Sequence, residues 1–103
     1  MIVVLDTNIL GGIVNPKPRS EAVKAMQKWG VEMLAAGHVF VIPSIAVYET
    51  RRELLRGSMV ASATALDLFI AATPNIYLPM NDAAMTRAAR LWADVRNAGQ
   101  TTA

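Results

Sequence analysis

The chain has 103 residues, 53% of them hydrophobic and 17% charged, with a formal net charge of +2. That balance excludes disorder and suits one domain over residues 1–103, since a chain of this size buries roughly 60–68% of its unfolded surface. With no cysteine and one histidine, disulfides, thiolate chemistry and multi-histidine sites are excluded, so any metal held here is a hard cation on oxygen ligands. A charge of +2 permits a polyanionic partner without demanding one. No apolar run approaches the roughly 20 residues that span a bilayer. The N-terminus lacks the basic region of a secretion signal, so the expectation is a cytoplasmic protein with no membrane partner.

Ile2-Val3-Val4-Leu5 is an uninterrupted apolar run that stops at Asp6. It reads as a strand buried on both faces, the kind found inside a parallel sheet. Open α/β sheets gather ligands at the carboxyl ends of their strands, and Asp6 stands at such an end. A carboxylate there is either a helix cap or a site residue. Thr7 and Asn8 follow as polar side chains able to bond the start of a helix. Ile9 to Val14 predicts a short helix weakened by Gly11 and Gly12, and Asn15 to Arg19, with two prolines, an exposed loop. Ser20 caps a longer helix with Glu21 in its first turn. Its stripe is Val23, Met26, Gly30 and Met33/Leu34, and Gly30 implies close packing on a neighbour. Gly37 ends it.

Val39 to Ile42 is a second buried strand, stopped by Pro43. Ser44 reads as the cap of a helix from Ile45 to Gly57, with Glu49 in its second turn. Gly57-Ser58 separates it from a helix over Met59–Ala72, whose stripe is Met59, Ala63, Leu66 and Ile70. Ile76 to Pro79 is a weaker third strand. Asp82 caps a last helix with Ala84, Ala88, Leu91 and Val95 on one face, and Gly99 ends it.

Strand, helices, strand, helices, strand, helix implies a parallel sheet with right-handed crossovers. With the first two strands adjacent, Asp6 and Glu49 project at one sheet edge. Two carboxylates about 4 Å apart repel by roughly 4 kcal/mol at an effective dielectric of 20, and a shared Mg2+ or Mn2+ converts that repulsion into binding. The competing reading pairs Glu49 with Arg52 along the helix. Arg51, Arg52 and Arg56 suit RNA phosphates or a solvated helix face. Trp29 and Trp92 suit base stacking or, beside helical core stripes, packing. His38 is given no catalytic role.

Val3-Val4-Leu5-Asp6-Thr7-Asn8-Ile9-Leu10 resembles the opening of PIN-domain proteins, notably the VapC-type toxins of bacterial toxin–antitoxin pairs. Ile42-Pro43-Ser44-Ile45-Ala46-Val47-Tyr48-Glu49 resembles that family's second signature, a strand, a Pro/Ser turn and a helical Glu. The resemblance implies a three-layer α/β/α fold on a parallel sheet and a metal-dependent endoribonuclease. By that likeness Asp6 and Glu49 are metal ligands for Mg2+ or Mn2+, and Asn8 positions the catalytic site by hydrogen bonding. The implied partners are an RNA substrate, an antitoxin protein and a second copy of the chain. The sequence departs from the family after Asp94, beyond which it has no acidic residue. The family's further acids and its fourth and fifth strands have no counterpart, so the expectation is a PIN-like domain truncated at its C-terminus. In it the metal is weakly bound or absent and activity is impaired. Two alternatives stand beside this one. The first is a non-catalytic PIN remnant that binds a protein or itself. The second is an unrelated nucleotide-binding module, which lacks a glycine-rich cradle after the first strand.

Overall fold

The computed structural model describes residues 1–99. The chain alternates β1 (Ile2–Val4), α1 (Thr7–Ile13), α2 (Glu21–Ala35), β2 (Val39–Pro43), α3 (Ser44–Arg56), α4 (Val60–Ala71), β3 (Ile76–Leu78) and α5 (Asp82–Asn97). The three strands form one parallel sheet in the order β1-β2-β3. Val4 lies opposite Val41, which lies opposite Ile76. The fold is therefore mixed α/β, built as the strand–helix alternation predicts.

Strand alternation decides which side chains enter the core. Leu5, Phe40 and Ile42 turn to one face of the sheet, where they meet Leu10 and Val14 of α1, Ala46 and Val47 of α3, and Leu66 of α4. Val3, Trp29, Phe69 and Ile70 pack around them, with the Trp29 ring 5.5 Å from that of Phe40. Gly30 is buried where α2 meets α1, and a methyl group there would lie 3.7 Å from Ile13 Cδ1. The Gln27 side-chain amide donates to the carbonyls of Gly12 (3.0 Å) and Asn15 (2.7 Å), which ties α2 to the end of α1.

The expectation that β1 is buried on both faces is corrected. Ile2 is 68% and Val4 64% exposed, because β1 is an edge strand and its second face carries no helix among the described residues. Ile76 and Leu78 are exposed on that same face. The described residues thus build one helical layer, α1 to α4, against the sheet. Among the described residues a second covering layer is not formed, since α5 has no buried residue and packs closely on no other element.

Two expected caps also move by one residue. Pro43, not Ser44, stands at the N-cap of α3, and Ser44 Oγ instead accepts the Met80 N–H at 2.8 Å. Asn81, not Asp82, caps α5, accepting the Ala84 N–H, while Asp82 lies in the first turn. Ser20 caps α2 as expected, accepting the Val23 N–H at 3.1 Å. Gly37 and Gly99 follow their helices at φ 88° and 81°, in the left-handed region glycine adopts readily. Among the described residues, no helix is long and apolar enough to cross a membrane.

Candidate functional site

Asp6 comes directly after β1 and its exposed side chain caps α1, Oδ1 accepting the Ile9 N–H at 2.9 Å. This is the helix-cap reading of Asp6. It does not remove the other reading, because one carboxylate oxygen is enough for a cap. Asn8 is the second residue of α1 and is exposed; Glu49 is the sixth of α3 and half-buried.

α1 and α3 pack against each other. Between them lies a cleft of about 220 Å³, lined by Thr7, Asn8 and Gly11 from α1 and by Glu49, Thr50, Glu53 and Leu54 from α3. Asn8 and Glu49 are therefore brought together. Asp6 does not line the cleft but immediately precedes Thr7, which does. A methyl group added at Gly11 would meet nothing within 4 Å, so the α1 wall is open there. Four larger clefts, of about 260 to 520 Å³, lie elsewhere among the described residues; the carboxylate they contain is Asp67, already paired with Arg51 at 2.6 Å.

The proposed pairing of Glu49 with Arg52 is not found among the described residues. Arg52 instead lies 5.7 Å from the centre of the Tyr48 ring and 4.0 Å from Glu53. Arg56 is the close partner of Glu53, its Nη2 and Nε donating to Oε2 at 2.7 and 3.1 Å. That hydrogen bond, with the charges of Arg56 and then Arg52, holds the Glu53 carboxyl below the usual carboxylate range, and the same bond with the Glu53 charge raises Arg56. The arginines of α3 are thus largely engaged with the protein's own carboxylates.

Thr50 is the unexpected member of the cleft. It is 5% exposed, and its Oγ1 is buried without a hydrogen-bond partner. A threonine hydroxyl inside a helix normally returns its proton to the carbonyl one turn back. An orphaned buried hydroxyl on a cleft wall marks a place where a polar partner is wanted. The site's donors are carboxylates, an amide and hydroxyls, all oxygen, which suits a hard divalent cation. Among the described residues no three Asp, Glu, His or Cys side chains gather closely enough to hold an ion, so Asp6, Glu49 and Glu53 do not act as a preformed trio.

Neither Glu53 nor Thr50 was singled out by sequence reasoning. The signal for Glu53 was present, four residues after Glu49 and so on the same helix face. Trp29 packs in the core as expected, but Trp92 does not: it is 54% exposed, with the Arg96 guanidinium 5.0 Å from its ring centre. His38 Nδ1 accepts from the N-terminal amine at 2.9 Å. Comparison with protein-family models, curated proteins and solved structures gave no match to this chain.

Proposed function

We propose that this chain is a PIN-like endoribonuclease of the VapC toxin type, dependent on Mg2+ or Mn2+, with Asp6, Asn8 and Glu49 as its working residues. The observation that carries the reading is the meeting of Asn8 and Glu49 in one cleft beside Asp6, at the carboxyl ends of two adjacent parallel strands. In this reading Asp6 and Glu49 supply the charge that holds the cation, and the Asn8 amide orients the scissile phosphate or the cation's water shell. A bound divalent cation supplies an activated water and charge for the attacked phosphoryl oxygen. No nucleophilic side chain is required. An antitoxin protein would act by covering this edge of the sheet.

The test is cleavage of a largely single-stranded RNA by the purified chain with Mn2+. Expected is slow, impaired cleavage, in keeping with so few carboxylates, that disappears with EDTA and falls further in Asp6→Ala and in Glu49→Ala. Cleavage that survives EDTA or both substitutions overturns the reading. A second reading has its own support. The exposed apolar face of the sheet and the unpacked α5 suit a PIN-like module that works by binding a protein or a second copy of itself. RNA left intact by a chain that self-associates would favour it.

A further inference from the structure

We propose that a divalent cation sits in the α1–α3 cleft with Glu53 as well as Glu49 among its ligands, and that the buried Thr50 hydroxyl, through its single O–H, positions one of those carboxylates. The inference rests on the reading of Glu49 as a cation ligand, though not on any reaction. Glu49 and Glu53 lie one turn apart on α3 and line the same cleft. Residues so spaced have Cβ atoms about 5–6 Å apart, within reach of one ion. Across from them, Asn8 and Gly11 are three residues apart on α1, so an amide oxygen and an open patch of wall share the facing side.

Like charges at this spacing repel unless something offsets them. Glu53 leans on Arg56, whereas Glu49 has no ion-pair partner among the described residues. Thr50 lies between the two glutamates in sequence, and its hydroxyl lacks an acceptor. Carboxylates drawn inward around a cation would supply that acceptor. The hydroxyl would in turn fix the rotamer of the carboxylate it donates to, as outer partners of metal ligands commonly do. Arg56 is then the cation's competitor, holding Glu53 outward until the ion arrives. Asp6 beside the cleft, the neutral oxygens of Asn8 and Thr7, and water complete a shell that Glu49 and Glu53 alone leave unfilled.

The test is Mn2+ binding to the 103-residue chain, followed by calorimetry and by the electron paramagnetic resonance signal of free Mn2+, with circular dichroism to verify folding. Expected is one ion per chain, bound about 10-fold or more weakly in Glu49→Gln and in Glu53→Gln. Arg56→Met should tighten binding by freeing Glu53. Thr50→Val should weaken it and Thr50→Ser restore it. Affinity unchanged in Glu53→Gln but reduced in Glu49→Gln would overturn the role of Glu53 while leaving the nuclease reading intact. Affinity equal in Thr50→Val and Thr50→Ser would overturn the positioning role. No Mn2+ binding by the unsubstituted chain would sink both the inference and the reading beneath it.

Discussion

Asp6 carries two demands at once. Its Oδ1 closes the first turn of α1, and the same carboxylate is the first candidate for holding a cation. The two jobs separate by substitution, because asparagine caps about as well as aspartate but brings no charge. Asp6→Asn is expected to leave stability nearly unchanged, whereas Asp6→Ala should cost about 1 kcal/mol in urea unfolding. Both should lose metal-dependent cleavage. Equal stability losses in the two variants would show that the cap contributes little. The placement of Asp6, Asn8 and Glu49 near the ends of adjacent strands was legible in the sequence, because backbone direction alone limits where each can lie; of the three, only Asn8 and Glu49 line the same cleft. Glu53 and Thr50 were not legible. Glu53 is surrounded by arginines in sequence and reads as one more charge on a solvated face. Nothing local tells whether a threonine hydroxyl finds its own carbonyl, since that depends on what packs over it.

At the scale of elements, the junction of α1 and α2 shows how small residues set distance. Gly30 announced its role by sitting on an apolar stripe, and Ile13 does fill the space beside it. Gly12 looked only like a helix weakener, yet a methyl group there would run into the Met26 thioether. Gly12→Ala gains helix propensity of roughly 1 kcal/mol and loses packing, so its net effect alone is uninformative. Coupled to Met26→Ala it becomes decisive. The double variant is expected to be more stable than the sum of the single changes by at least about 0.5 kcal/mol, measured by a denaturation cycle. Additive effects would mean that Met26 swings aside without cost. The misreading of β1 has a similar origin. Four apolar residues in a row say that both faces want cover, but the partner that supplies cover lies far along the chain or outside it. The shifted caps are subtler: Asn81 and Asp82 compete for the start of α5, whereas α3 begins after Pro43 with no side-chain cap. Ser44 lost to a longer-range partner, Met80.

The whole molecule is lopsided. One face of the sheet is a packed core, and the other presents Ile2, Val4, Ile76 and Leu78 to solvent. The Leu5 N–H donates to Val41 and Met1 accepts from Val39, so the odd-numbered residues of β1 pair with β2, while the amides and carbonyls of Ile2 and Val4 point outward. An apolar edge of this sort pairs readily with another chain. Native mass spectrometry at micromolar concentration is expected to show dimers or larger species, and Val4→Lys to return the chain to monomers. A monomeric unsubstituted chain would show that the edge is protected by some other means. Asymmetry also sets the order in which the chain gives way. A 16-residue helix with no buried residue has little beyond its own hydrogen bonds to hold it, and isolated helices of that length are marginal in water. α5 therefore unravels at a free energy far below that of the core, and it does so with Arg87, Arg90 and Arg96 exposed along it. A trypsin-like protease meets those three bonds before any inside the helices α1 to α4, and apart from the exposed loop bond after Arg19 its cuts concentrate on α5, away from the cleft between α1 and α3.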